Sequence, residues 1–271
     1  MNGTLAGMNP VKKYALFICM AACAAPSFAA LLVEETFTYP AGSLYGKSGG
    51  SGFSQNWWGG SNGTGAWTVE NNAAKISGNN DTWAIRNVSP VSETGFYFSC
   101  ELGVDTLTGV TGSFRDVVII SVGGGTFSTG VAFNTWGYGI QASIAGQNYN
   151  LTASQAIQST GMTYTIVGHY TFSESTGQAT LALWLNPEDG TSGFIHEVSW
   201  TATAATVSRI TLQRYDNGSR SGIASTTFDN IRIGTEWADV APTQVPEPGT
   251  WAAIAGGLLL GLAVWRRIRS R

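Results

Sequence analysis

Side chains along this chain alternate with period two, and clusters of turn residues interrupt the alternation. In "FYFSCELGV", Phe96, Phe98, Cys100, Leu102 and Val104 share one parity, while Tyr97, Ser99 and Glu101 take the other. In "QATLALWLN", Ala179, Leu181, Leu183 and Leu185 oppose Thr180, Ala182 and Trp184, and "SRITLQRY" sets Ile210 and Leu212 against Thr211 and Gln213. A strand places alternate side chains on opposite faces, so such runs suit a sheet with one face in a core. "RDVVIISV" is apolar without alternation, which predicts a strand buried on both faces. Between the runs lie "SGNND", "VGGGTFSTG", "ESTGQ", "NPEDGTSG" and "DNGSRSG", all rich in turn formers. Only "TASQAIQST" has the composition of a short helix. Roughly a dozen short strands with tight turns predict an all-β, antiparallel, two-sheet sandwich. No internal repeat or linker interrupts residues 31–240, so one domain is expected there.

Composition narrows the chemistry. Charged residues make up 11% of the 271 residues, beside 35 glycines, ten Trp, nine Tyr and twelve Phe. That balance fits a packed β domain and opposes disorder, which needs charge and few aromatics. The net charge of −3 is unevenly spread. Six of the fourteen basic residues are Lys12, Lys13, Arg266, Arg267, Arg269 and Arg271; the remaining eight face seventeen acids, leaving a net charge near −9. Nucleic-acid binding depends on neutralising phosphates and is not expected. Cys19 and Cys23 lie in the N-terminal apolar run, so Cys100 alone remains for the body, excluding an internal disulfide, a zinc knuckle and a CxxC pair.

The two ends predict export. Residues 1–30 combine a Lys pair, an apolar run from Tyr14 to Ala25 and the small-x-small step Ser27-Phe28-Ala29, as a cleavable signal does. The Sec machinery and signal peptidase are the implied partners, with Met1 or Met8 as the start. Residues 241–248 read as a linker ending in Val245, Pro246, Glu247 and Pro248. Residues 249–265 carry no charge, and as a helix they rise about 25 Å, slightly under the hydrocarbon thickness of about 30 Å. Trp251 and Trp265 edge this segment at interfacial positions. The basic tail 266–271 keeps the C-terminus cytoplasmic and the body outside.

The order "VPEP", Gly-rich apolar helix, "RRIRSR" resembles a PEP-CTERM sorting signal. The resemblance implies a Gram-negative, exopolysaccharide-producing cell. It also implies an exosortase that recognises Pro246-Glu247-Pro248 and processes the tail, so that the helix holds the protein in the membrane only transiently. The body is similar to concanavalin A-like, laminin-G-like jelly rolls in "EETFTYPAGSLYGKSGGSGFSQNWWGG", "LALWLNPEDG" and "TTFDNIRIGTEWADV". That fold hosts lectins, glycosidases and adhesion modules alike, so it leaves function open.

Catalytic constellations are weak. Glycoside cleavage needs two carboxylates close together, and Glu101 and Asp105 on one strand lie about 13 Å apart. His169 and His196 are the only histidines, no G-x-S-x-G elbow frames a serine, and "SVGGGTFSTG" lacks a P-loop lysine. No organic cofactor is implied. Asp229 shares parity with Ile231 and Ile233, which predicts an inward carboxylate needing a partner. Local turn bonding answers that need; so does a structural Ca²⁺ shared with Glu35 or Glu34, since jelly rolls of this type pair their first and last strands. Aromatics are the stronger lead. Trp57, Trp58 and Trp67 stand among Asn, Gln, Ser and Gly, while Tyr97 and Trp184 take the polar parity of their strands. Exposed indoles flanked by amides grip sugars by stacking and hydrogen bonding. Core packing is the competing reading of the same rings. Together these features predict an exported, non-catalytic surface or matrix protein that binds exopolysaccharide weakly; a glycoside hydrolase or polysaccharide lyase with a non-standard site is the alternative.

Overall fold

In the computed structural model, the alternating runs become long strands on two facing antiparallel sheets. The structure describes residues 30–61, 67–77, 81–92, 94–111, 114–122, 125–134, 137–144, 147–151, 160–187, 194–202, 206–216, 221–241 and 269. Its elements are β1 (Leu31–Glu35), β2 (Gly42–Ser43), β3 (Trp58–Ser61), β4 (Trp67–Glu70), β5 (Ala73–Ser77), β6 (Thr82–Ser92), β7 (Gly95–Thr111) and β8 (Phe114–Val122). They continue with β9 (Gly125–Asn134), β10 (Gly137–Ile144), β11 (Gln147–Asn150), β12 (Met162–Ser173), β13 (Gln178–Leu185), β14 (Phe194–Thr201), β15 (Thr206–Asp216) and β16 (Ser221–Gly234), and end in the short helix α1 (Trp237–Val240). The Gly-rich stretch after Val122, read as a hairpin or loop, connects β8 to its antiparallel partner β9, which takes it up from Gly125. Among the described residues no helix is long and apolar enough to cross a membrane. The expected signal at 1–30 lies outside the described residues except for its last residue. The segment 249–265 lies outside them entirely, and so does the short helix expected over 152–160 except for Thr160, which is in a bend.

One sheet has the order β14-β13-β12-β7-β16-β5-β4-β2, with β1 also on β16; the other runs β11-β10-β9-β8-β15-β6-β3. The chain crosses between sheets repeatedly, so each buries its apolar parity against the other. Phe96, Phe98, Cys100, Leu102 and Val104 of β7 are all buried, as are Val118, Ile120, Ile210 and Leu212 opposite. Phe98 and Phe127 meet across the core with ring centroids 4.8 Å apart. The Phe98 ring lies over Gly168, where any Cβ would sit 1.9 Å from it. β8 is buried through Val117, Val118, Ile120, Ser121 and Val122, matching the two-sided burial its composition predicted.

Two buried ion pairs lie between the sheets: one links neighbouring strands of the seven-stranded sheet and is tied across the core by a threonine, the other joins the two sheets directly. Arg214 of β15 pairs with Asp116 of β8, and Thr226 of β16 donates to the same carboxylate at 2.6 Å. Arg86 of β6 pairs with Glu35 of β1. All these groups are buried. Fixed charges at such depth are tolerated because each meets its opposite and further hydrogen bonds.

The first and last strands are neighbours as expected, with Glu35 opposite Ile231. The inward parity expected for Asp229 does not hold. Asn230 takes a positive φ of 48° inside β16, and the register with β7 shifts between Asp229 and Arg232. This bulge inserts one residue, so Phe228, Ile231 and Ile233 all point inward. Asp229 is set opposite Glu101, on the outer side of the nine-stranded sheet.

Candidate functional site

The five aromatics singled out in the sequence separate into three environments. Trp57 and Trp67 are core residues, 1% and 0% exposed. Trp57 stacks on Phe37 at 5.9 Å and donates its indole N–H to Glu35 at 2.9 Å, while Trp67 packs 5.8 Å from Phe228. Neither presents a ring face to solvent. Tyr97 and Trp184 point away from the core, as their parity predicted, yet Trp184 is buried. The cover is α1: Trp237 meets Trp184 edge-on at 5.3 Å and Tyr97 at 6.1 Å, and Val240 closes the cluster with Val167 and Ala182. His169 stacks flat on Tyr97 at 4.0 Å, and burial lowers its pKa. The polar parity of these strands is thus a second, smaller core. Trp58 alone remains exposed, at 48%.

Trp58 opens the outer face of the seven-stranded sheet. Its partner on β6 is Ile85, which pairs in turn with Thr211 of β15, itself opposite Ile119 of β8. The next rung carries Gly60, Trp83, Gln213 and Val117. A Cβ on Gly60 would lie 3.2 Å from the Trp83 ring, so the absence of a side chain there lets the indole lie down on the sheet. Ile85, Thr211, Val117 and Ser121 are buried although they belong to neither core cluster. The floor of this face is therefore recessed. Its curvature shows in one bond: Arg115 of β8 reaches Asn148 of β11 at 3.0 Å over the two intervening strands. Flat strands spaced about 4.8 Å apart would hold those two side chains out of reach.

At one end of this face the sheet opens. β15 pairs with β6 through Val207–Val91 and then Arg209–Asn87, so Ser208 stands alone against Val88, Ser89 and Pro90. Those β6 residues turn to the preceding segment instead: Phe53 bridges Val88, and Ser89 N–H donates to Gly52 O at 2.8 Å. The gap is a shallow hollow of about 360 Å³ lined by Ser54, Asn87, Val88, Thr206, Ser208 and Arg209. An exposed indole, a second indole on the sheet, and amides and hydroxyls along a recessed floor can stack on and hydrogen-bond a chain of sugars. Trp83, Asn87, Arg209, Thr211 and Gln213 escaped sequence reasoning. The alternation of "TWAIRNV" would have placed Trp83 with Asn87, but Arg86 occupies the apolar parity and breaks the pattern.

The carboxylates lie elsewhere. Glu35 accepts from Arg86, from Tyr39 Oη at 2.6 Å, from Trp57 Nε1 and from Phe37 N at 2.9 Å. A guanidinium and three other donors saturate it, so it does not fit a Ca²⁺ ligand, and the pairing of Glu35 with Asp229 around an ion is replaced by this network. Burial beside Glu35 raises the Tyr39 hydroxyl far above its ordinary pKa. Asp229 accepts from Asn230 N–H at 2.7 Å, the local turn bond. Its pKa is raised to about 6, by burial first and by the charge of Glu101 beyond that. Cross-strand partners place their Cβ atoms about 5 Å apart, so Asp229 and Glu101 are close in space although 128 positions apart in sequence. Among the described residues no cluster of three His, Cys, Asp or Glu side chains is placed to hold a metal.

The raised pKa of Asp229 has a stability consequence. A carboxyl whose folded pKa exceeds its unfolded value is charged at a cost above both values and costs nothing below both. The cost therefore builds between about pH 4 and pH 6. Discounted for its partial exposure, Asp229→Asn should gain about 1 kcal/mol near neutral pH, or about 2–4 °C in melting temperature. Thermal melts near pH 7 and near pH 3.5 check this, since the gain should vanish at the lower pH.

No curated protein matches the chain in sequence. Solved structures resemble it in shape at low identity. A β-1,3-glucanase from Mycobacterium marinum superposes with a TM-score of 0.48 at 10% identity, covering 75% of this chain and 98% of that one. The CBM2 module of the evolved Dit of Lactobacillus casei BL23 phage J-1 gives 0.47 at 12%, covering 76% and 95%. A Lotus tetragonolobus seed lectin gives 0.41 at 11%, covering 74% and 97%. The sorting residues Val245, Pro246, Glu247, Pro248, Arg266 and Arg267 lie outside the described residues but inside a sequence match: residues 244–268 are a PEP-CTERM protein-sorting motif, which implies exosortase-mediated processing and export to the cell envelope.

Proposed function

We propose that this is a non-catalytic surface or matrix protein of a Gram-negative envelope, which associates with exopolysaccharide through the outer face of its seven-stranded sheet. The observation that carries the reading is Trp58, exposed beside Trp83 on a recessed sheet face of mixed apolar and polar side chains. Among the described residues, the strand positions of that face bear no Asp or Glu side chain, so a close carboxylate pair is not built into those strands. The chain reaches the envelope as an inner-membrane precursor held by residues 249–265, with the arginines inside. Signal peptidase releases the first end, and the exosortase the second. Deleting Pro246-Glu247-Pro248 should leave a membrane-held precursor of higher mass on immunoblots of cell fractions; unchanged processing would remove the sorting step from the account. Binding is tested by affinity electrophoresis of the full chain in detergent through gels cast with the host exopolysaccharide. Retardation is expected, and free migration in every polymer would contradict the reading.

A hydrolase or lyase is the second reading, and one observation favours it. Glu101 and Asp229 are adjacent carboxylates, one held ionisable near pH 6, the kind of pairing that separates acid from base. They stand on the nine-stranded sheet, away from the aromatic face. Release of reducing ends that stops in both Glu101→Gln and Asp229→Asn would favour the enzyme.

A further inference from the structure

The gap between β6 and β15 differs in charge from the rest of the molecule. The outer side of the nine-stranded sheet carries Glu34, Glu70, Glu101, Asp105, Asp229 and Glu197. The strand positions of the seven-stranded outer face carry Arg115 and Arg209 and no acid among the described residues; Asp81 directly precedes β6, at the end remote from Arg209 and its partner Asn87. In a chain whose charge outside its two ends is near −9, this face is locally cationic. The cations elsewhere in the described sheets are engaged: Lys75 with Glu70 and Asp105, Arg86 with Glu35, Arg214 with Asp116, and Arg232 with Glu34. Arg115 rests over the Tyr215 ring and bonds Asn148. Arg209 is exposed, lines the hollow, and has no partner among the described residues.

A second observation sits beside it. Ser121 of β8 is directly opposite Arg209 and only 8% exposed, and its hydroxyl has no hydrogen-bond partner among the described residues. A buried hydroxyl left without a partner is costly, so it points to a group that completes it. Around the gap stand the hydroxyls of Ser54, Thr206 and Ser208 and the amide of Asn87. Guanidinium is a planar fork that matches a carboxylate with two parallel N–H bonds. Sugar hydroxyls suit the surrounding donors and acceptors.

Resting on the polysaccharide-binding reading above, we infer that this face is selective for a carboxylate-bearing polysaccharide, with Arg209 taking the carboxylate of a uronate residue seated in the gap while Trp58 stacks on a sugar farther along the chain. Neutral glucans would use the aromatic platform alone.

The test compares polygalacturonate with the same polymer after chemical reduction of its carboxyls, adding dextran sulfate and dextran, in affinity gels run with the full chain in detergent. The wild-type protein should bind polygalacturonate at least tenfold more tightly than the reduced polymer, and dextran sulfate no better than dextran. Arg209→Gln should lower affinity for polygalacturonate about tenfold, to the level of the reduced polymer. Arg209→Lys should restore only part of the preference, because an ammonium lacks the fork. Equal binding of polygalacturonate and its reduced form, or an Arg209→Gln variant that keeps the preference, would overturn the inference while leaving sugar binding intact. Equal binding of dextran sulfate would make the site a general anion trap and overturn the carboxylate assignment. No retardation by any of the four polymers would overturn the binding reading itself. Arg209 is exposed on a strand, so these variants should fold.

Discussion

Arg86→Met should destabilise the protein by about 3–5 kcal/mol, lowering its melting temperature by about 6–20 °C. The guanidinium is 4% exposed and its partner Glu35 1%, so truncation strands an ionised carboxylate between two sheets. Further contacts disappear with it, among them a bond to Tyr39 Oη at 3.1 Å. Arg86 donates to Gln55 O at 2.9 Å and to Gly49 O at 2.7 Å, and its guanidinium lies 3.8 Å from the centre of the Phe53 ring. These hold the segment before β3 against the core. A Glu35→Gln/Arg86→Met double variant should recover part of the loss, because the stranded charge is then gone. Urea denaturation at neutral pH measures both. A loss below about 1 kcal/mol in the single variant would mean that the pair is solvated after all.

The same network bears on binding. Trp57 is held inward by its bond to Glu35, and Trp58, the next residue on the chain, therefore faces outward. Trp58→Ala should weaken binding of exopolysaccharide about tenfold to a hundredfold, the range for loss of a central aromatic contact. Its stability should change by no more than about 0.5 kcal/mol, since half the ring is already in water. Trp184→Ala should do the reverse. Its ring is buried under Trp237 and Val240, so truncation opens a cavity worth about 3–5 kcal/mol while the sugar face is untouched. Intrinsic fluorescence titration and thermal melts on both variants separate the two roles.

The period-two runs translated directly into strands because each apolar parity had a sheet to face. Phe96 to Val104 and Ala179 to Leu183 are buried on the parity read from the sequence, and the pairing of β1 with β16 was foreseen from the resemblance. What failed did so where a distant or local feature intervened. A single left-handed residue, Asn230, flipped Asp229 outward, and nothing in "TFDNIRI" announces a bulge. Trp184 kept its expected side but lost its solvent, because α1 folds back over β13 from more than 50 positions away. Arg86 and Arg214 look like surface residues on their own; their partners, Glu35 and Asp116, are 51 and 98 positions distant. The gap at Ser208 needs three segments to be seen at once: β15, β6 and the stretch around Gly52.

The central claim, that the seven-stranded sheet and not the nine-stranded one meets the polysaccharide, is tested most directly by one set of affinity gels. Full-length wild type, Trp58→Ala and Trp184→Ala run side by side through the host exopolysaccharide at a temperature where all three are folded. The account predicts that Trp58→Ala migrates freely while Trp184→Ala is retarded like wild type. Retention of Trp58→Ala together with release of Trp184→Ala would place the contact on the opposite face and contradict it.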